Sequence, residues 1–286
     1  MNFKLRIQAV LFIILQLTTF FSYSQNSSDT TADSSDSNFS YLMINASYTN
    51  NNLDNLTGST EKIPTLFTNV SYTNKIGLYL GGSYANYFNA STQTYEYDIE
   101  VGFQKYFDNG FDIDIYYTNH KFSGDTLLEG LNYDHSLNLS SGIDIGKFYL
   151  STDLSYLLAD ENNYFLNINF SRFISLYSTL FKDDVILINP SISLNFGTDY
   201  WIYSDMTSTD KQQLSANLKN EGYTFESFGY EGFDFFIPVS YGIKNTYLTF
   251  SWLYRIPGDK YKYLGWENQS GFMLSLTYFL NFSDQK

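Results

Sequence analysis

Eight side chains that could hold cations or carry protons lie at even spacings along four neighbouring segments of the chain. Seven are carboxylates and one is a histidine: Glu96, Asp98, Glu100, Asp112, Asp114, His120, Asp134 and Asp153. Successive side chains of a β-strand point to opposite faces, so this spacing puts the groups of each segment on one face. Such a face could attract cations, hold a divalent metal or form ordinary ion pairs. Because no calcium-loop spacing is present, the pattern favours hydrated or paired carboxylates over a specific metal site.

Several other kinds of chemistry are excluded by composition and motif. No segment matches a P-loop, a dinucleotide fingerprint, a zinc motif or a GxSxG elbow, so we expect no cofactor. The chain has no cysteine, which excludes disulfides, thiolate metal sites, a catalytic cysteine and a lipidated cysteine. Its formal net charge of −14 argues against nucleic acid as a partner and favours cations over anions.

The candidate residues belong to segments in which apolar and polar residues alternate. In the clearest segment, Tyr97, Ile99 and Val101 oppose the three carboxylates of 95–107. Alternation of this kind predicts twelve strands: 38–48, 63–72, 76–87, 95–107, 111–121, 131–144, 147–158, 164–177, 185–196, 233–244, 247–256 and 271–282. Pro190 and Pro238 lie inside two of them, where a missing N–H predicts a bulge or a local break.

The connections between these segments alternate in length. Those after odd-numbered strands are predicted to be long: 49–62, 88–94, 122–130, 159–163, 197–232 and 257–269. Those after even-numbered strands are predicted to be short: 73–75, 108–110, 145–146, 178–184 and 245–246. Long loops at one rim and short turns at the other, with an even strand number, are typical of a transmembrane β-barrel.

The last segment, 271–282, supplies a resemblance. Phe272, Leu274 and Leu276 begin one face of a strict alternation that continues to Phe282. This pattern resembles the C-terminal strand of Gram-negative outer-membrane β-barrels, which ends in an aromatic residue and is read by the assembly machinery. Those proteins usually stop at the aromatic residue, whereas residues 283–286 follow it here. The resemblance implies an all-β, antiparallel, up-and-down barrel surrounded by outer-membrane lipid, with both termini periplasmic and the long loops extracellular.

The N-terminus has a different composition. Lys4 and Arg6 precede an apolar core and a small-residue cleavage site near Ser24, so 1–24 is predicted to be a signal peptide. Residues 25–37 lack apolar side chains and are predicted to be a disordered periplasmic leader. The barrel is predicted to occupy 38–286.

The loop 197–232 is too long for a simple hairpin. Thr209 and Gln212 have capping-box spacing and Gly222 could end a helix, which predicts a short helix at about 210–220. This helix could cap the mouth or fold into the pore. The loop is also rich in aromatic residues that could bind a protein partner: Tyr200, Trp201, Tyr223, Phe225, Phe228 and Tyr230.

Three functions remain open from the sequence. The first is a narrow porin-like channel with an acidic, cation-favouring lumen, and the second is a non-conducting barrel within a larger envelope complex. The third is a hydrolase at the outer rim. If Phe107 and Phe111 pair across their turn, His120 faces Asp98, which loosely resembles the mouth of outer-membrane proteases. The His-x-Ser motif of outer-membrane phospholipases is absent, so we expect no enzyme activity.

Overall fold

The computed structural model describes residues 39–51, 64–89, 92–124, 133–159, 162–198, 207–224 and 227–282. The predicted signal peptide and leader lie outside them. The strands are β1 Ser40–Thr49, β2 Thr65–Thr73, β3 Leu78–Asn89, β4 Thr92–Tyr106, β5 Phe111–Gly124, β6 Tyr133–Ile145, β7 Phe148–Ala159, β8 Asn163–Ser171, β9 Ile174–Tyr177, β10 Asp184–Ile188, β11 Ser191–Gly197, β12 Gly229–Ile243, β13 Thr246–Pro257 and β14 Gln269–Phe282. The helices are α1 Ser208–Asn220 and α2 Asp259–Tyr263.

The strands form one closed antiparallel ring. Pairing runs from β1 through β8 along the chain, β11 pairs with both β8 and β12, and β14 pairs with β1. The short β9 and β10 continue β8 and β11 without a change of register, since Ser191 lies opposite Ser171 and Ile188 opposite Ile174. The 14 strand segments therefore make twelve full strands, which confirms the predicted meandering barrel.

The two prolines explain why the ninth strand is divided. Asn189 N–H donates to Pro238 O at 3.2 Å, and Arg172 N–H donates to Pro190 O at 3.1 Å. Proline has no N–H, so neither proline can donate the second hydrogen bond that would complete the antiparallel pair. The ladder therefore breaks between β10 and β11, as predicted for Pro190. β12 is not broken at Pro238, which pairs with Ser251 of β13. The break expected at Pro238 occurs instead in the strand on the other side of β12, between β10 and β11.

The connections follow the predicted asymmetry with one correction. The stretches between strands at one rim include 50–64, 125–132, 198–228 and 258–268, whereas those at the other rim reach at most 178–183. The predicted gap 88–94 is wrong because β3 and β4 stay paired up to Asn89 and Thr92. We refer to the end with the longer connections as the long-loop rim.

The two faces of the barrel wall differ in polarity. Outward side chains are apolar and exposed, such as Leu80 at 59% and Ile99 at 61%. Inward side chains are mostly polar and buried, as with Thr118, Ser240 and Ser251. An apolar outer surface with a polar interior suits a strand wall surrounded by lipid. Among the described residues, no helix is both long and apolar enough to cross a membrane.

Helix α1 begins two residues earlier than its predicted cap implied. Thr207, rather than Thr209, accepts the N–H of Asp210 at 3.2 Å. The reason is that Thr207 and Asp210 have the same three-residue spacing as Thr209 and Gln212, so spacing alone did not select the cap. At the other end Gly222 has a φ of +85°, and Tyr223 N–H donates to Leu218 O. The predicted end of the helix is confirmed.

Helix α2 packs into the long-loop rim. Tyr261 is fully buried, stacks on Trp266 with ring centroids 4.2 Å apart, and places its hydroxyl 3.5 Å from Glu231. Tyr263 of α2 contacts Tyr223 after α1, with centroids 5.8 Å apart. The segment that follows α1 is therefore in contact with α2 at the long-loop rim, the end of the barrel nearer to Glu96 and His120.

Candidate functional site

A group of inward carboxylates lies on β4, β5 and β7. We call it the acidic wall, and its members are Glu96, Asp98, Glu100, Asp112, Asp114 and Asp153. Their outward neighbours, including Tyr97 and Ile99, are exposed, so the two-residue period turns the acids inward. Four of the six are buried, and Asp98 and Asp153 are half-buried.

Two tyrosines cover this wall from either side. Tyr79 of β3 crosses Gly102 of β4 and donates to Asp114 at 3.0 Å. Tyr149 of β7 crosses Gly142 of β6 and donates to Asp112 at 2.8 Å. Neither tyrosine was among the site residues predicted from the sequence. Their inward position two strands from an acid, with a glycine directly between, is the signal that identifies them once the register is known.

His120 is the centre of a hydrogen-bonded group near the long-loop rim. It is 0% exposed, and its Nδ1 lies 2.8 Å from Asp98 Oδ1 and 3.4 Å from Glu96 Oε1. Its Nε2 lies 2.9 Å from Ser136 Oγ. The predicted register is confirmed, since Asp98 pairs with His120 and Glu100 with Thr118.

Hydroxyl groups hold the far atoms of the two carboxylates in this group. Tyr87 donates to Glu96 Oε2 at 2.6 Å, and Ser83 donates to Asp98 Oδ2 at 2.8 Å. Glu96 is 1% exposed, and its second oxygen, Oε1, accepts no hydrogen bond within the described part of the chain. The near atoms of Glu96, Asp98 and His120 therefore point to a common position.

The same contacts set Ser136, His120 and Asp98 in the order of a serine-hydrolase triad. However, Ser136 is only 2% exposed, and its Oγ already accepts a hydrogen bond from Asn138 at 3.0 Å. A nucleophile must meet a substrate carbonyl, so this closed arrangement does not favour acyl transfer.

One predicted site residue does not lie with the others. Asp134 is exposed and does not join the acidic wall, because the register of β6 shifts between Tyr133 and His135 and leaves Asp134 as the extra residue. Lys121 pairs with the outward Tyr97, so it lies on the outer face and does not neutralise the wall.

The aromatic candidates of the 197–232 loop are only partly described. Tyr200, Trp201 and Phe225 lie outside the described residues. The ring of Tyr223 contacts that of Tyr263 in α2. Phe228 and Tyr230 are exposed, and their ring centroids lie 6.4 and 5.7 Å from that of Phe196.

The buried Arg255 on β13 is neutralised by Asp234 and not by the acidic wall. Arg255 donates through Nε and Nη2 to the two oxygens of Asp234, both at 2.7 Å, and Asn195 adds a bond of 2.9 Å. In the ring, β13 lies on the side opposite β5. Within the described residues, no lysine or arginine forms an ion pair with Glu96, Asp98, Glu100 or Asp114.

Comparison with known proteins gives a likeness of shape. No protein-family model matches the sequence, and no curated protein matches it. Among solved structures, a KdgM porin is 11% identical with a TM-score of 0.47 over 82% of this chain and 98% of that chain. LpxR from Salmonella typhimurium is 8% identical with a TM-score of 0.46 over 84% and 100%. A NanC porin is 7% identical with a TM-score of 0.44 over 83% and 98%.

The architecture itself is informative. A closed ring of twelve antiparallel strands, with an apolar outer surface and a polar interior, is that of a bacterial outer-membrane β-barrel.

Proposed function

We propose that this barrel is a narrow outer-membrane channel whose acidic interior favours cations. The observation that carries the proposal is that Glu96, Glu100 and Asp114 are inward and buried, and that no lysine or arginine among the described residues forms an ion pair with them. Negative charge in a water-poor passage attracts cations and repels anions. In the proposed orientation both termini are periplasmic and the long-loop rim is extracellular, so His120 and the two helices lie near the outer entrance.

The packing of the interior supports a narrow passage. Inward residues of other strands, such as Asn45 on β1 and Ser251 on β13, are also buried. Gln104 of β4 donates to Tyr41 of β1 at 2.7 Å, a contact that spans three strand positions. We therefore expect a conductance well below that of the sixteen-stranded porins, which leave an aqueous channel.

Charge removal should change ion selectivity. In planar bilayers under a KCl gradient, we expect the unmodified barrel to prefer K⁺. Glu100→Gln combined with Asp114→Asn should lower the K⁺/Cl⁻ permeability ratio about threefold, because two charges facing the passage are lost. Glu267→Gln, at an exposed position between α2 and β14, is the matched control and should leave the ratio unchanged. Absence of conductance at any voltage would contradict the proposed function.

A second candidate function is a non-conducting barrel that binds a partner within an envelope complex. It is favoured by the buried interior and by exposed rings at the long-loop rim, including Phe228, Tyr230 and Tyr263. Aromatic rings are enriched at protein interfaces, although a barrel also carries them where it meets the membrane surface.

Co-purification in mild detergent tests whether the rings bind a protein partner or only contact the membrane surface. If they bind a partner, Phe228→Ser with Tyr230→Ser should abolish recovery of a defined stoichiometric partner, while the barrel still folds. The control is Leu180→Ser, an exposed apolar residue at the opposite rim, which should retain the partner. Recovery of the unmodified barrel alone would remove the basis of this second function.

A further inference from the structure

We propose that Glu96, Asp98 and His120 form a binding site for one divalent transition-metal ion, with Zn²⁺ as the best-matched probe. One ligand atom from each residue lies within 4.8 Å of the other two. The proposal concerns binding alone, so it goes beyond ion conduction and holds whether or not the barrel conducts.

The spacing of the ligand atoms is close to that of a tetrahedral site. Zn²⁺ binds histidine nitrogen and carboxylate oxygen at about 2.0–2.2 Å, which separates neighbouring ligands by about 3.3 Å. Glu96 Oε1 and His120 Nδ1 are already 3.4 Å apart. Asp98 Oδ1 is 2.8 Å from the same nitrogen and needs to move outward by about half an ångström to match that geometry. Three protein ligands would leave a fourth position for water.

The surroundings hold each ligand by its far atom. Tyr87 bonds Glu96 Oε2, Ser83 bonds Asp98 Oδ2, and Ser136 lies against His120 Nε2. When Nδ1 binds a metal, Nε2 carries the proton, and Ser136 Oγ can accept it. Hydrogen bonds of this kind orient metal ligands and raise their affinity for the ion. All three supporting groups are hydroxyls, and each contacts the ligand atom that points away from the common position.

A buried oxygen without a hydrogen bond is the independent sign that a ligand is expected. Glu96 Oε1 points toward His120 from a side chain that is 1% exposed, yet it accepts no hydrogen bond among the described residues. Buried carboxylate oxygens are normally paired. A divalent ion would coordinate this oxygen and neutralise the two negative charges that share the position.

The chemistry of the ligands indicates the class of metal. Calcium and magnesium take oxygen ligands, whereas imidazole suits Zn²⁺ and similar transition metals. One nitrogen and two oxygens therefore favour Zn²⁺, and Co²⁺ can replace it as a coloured probe.

The test is isothermal titration of Zn²⁺ into the full mature barrel, refolded in detergent and freed of metal with a chelator. We expect one high-affinity ion per barrel. Glu96→Gln and His120→Gln should each weaken binding at least about 100-fold, and Tyr87→Phe about 10-fold, because it removes only a supporting bond. Asp144→Asn removes an exposed carboxylate at the opposite rim and should bind Zn²⁺ like the unmodified barrel.

Folding and metal identity are measured on the same samples. Far-UV circular dichroism identifies the folded variants, and only these are compared. Co²⁺ should give a visible absorption band that is absent in His120→Gln. Unchanged affinity in both Glu96→Gln and His120→Gln would overturn the site. Displacement of Zn²⁺ by equimolar Ca²⁺ would overturn its assignment to transition metals. Labelling of Ser136 by a fluorophosphonate would overturn the supporting role of Ser136 and indicate a nucleophile instead.

Discussion

Replacing Arg255 by methionine is expected to lower the free energy of unfolding by about 3–5 kcal/mol, because it leaves the buried Asp234 without its counter-charge. Both groups are buried, and they share two hydrogen bonds of 2.7 Å. Methionine retains much of the volume of the aliphatic part of arginine. The decrease in unfolding free energy therefore measures the removal of the charge and not the creation of a cavity. The measurement is urea unfolding of the refolded barrel, followed by circular dichroism.

Two further variants make this expectation specific to the buried pair. Adding Asp234→Asn to Arg255→Met should recover part of the loss, because the uncompensated charge is then removed. Lys262→Met is the control, since its ion pair with Asp259 is largely exposed and should be worth less than about 1 kcal/mol. Equal losses in Arg255→Met and Lys262→Met would contradict the importance of the buried pair.

The second large effect is expected at Gly142, which lies directly under Tyr149. A methyl group at this position would overlap the ring and hydroxyl of Tyr149. The ring must then move away and give up its hydrogen bond to the buried Asp112. We expect Gly142→Ala to lower the free energy of unfolding by about 3 kcal/mol, from overpacking together with the loss of the hydrogen bond between Tyr149 and the buried Asp112.

Gly82 on β3 provides the matched control. A methyl group there would meet only the backbone oxygen of Asp98 at 3.7 Å, an ordinary contact. Gly82→Ala should therefore change the unfolding free energy by less than about 0.5 kcal/mol. Because Tyr149→Ala removes the overlapping ring, Gly142→Ala should cost much less in that background than alone. A similar cost in both backgrounds would reject the clash as its cause.

The pairing of His120 with Asp98 was predictable because one turn sets the register. Asp108–Gly110 pairs Phe107 with Phe111, and every later pair of β4 and β5 follows from that closure. The inward direction of Glu96, Asp98 and Glu100 was predictable for a similar reason. Their outward neighbours from Tyr95 to Phe103 are large and mainly apolar, so only one orientation suits lipid outside and polar groups inside.

The supporting contacts were not predictable in the same way. Ser83 lies opposite Asp98, but Ser136 reaches His120 diagonally, from the position opposite Thr118. A diagonal contact depends on side-chain direction as well as register. The extra residue at Asp134 has no sequence signal of its own, since a bulge leaves the alternation intact on either side. Aromatic residues of a membrane barrel are commonly expected on its outer face. Tyr79 and Tyr149 lie inside because Gly102 and Gly142 leave room for their rings.

The pairing of β1 with β14 has a consequence for how the chain reaches this structure. Asn45 donates to Thr277 at 2.7 Å across a separation of 232 residues. Contacts so distant in sequence form late and slowly. Until β14 is present, the growing sheet has two unpaired edges, and such edges readily pair with other chains. Protection of the newly made chain is therefore a requirement of this topology until β1 and β14 have paired in the register that brings Asn45 opposite Thr277.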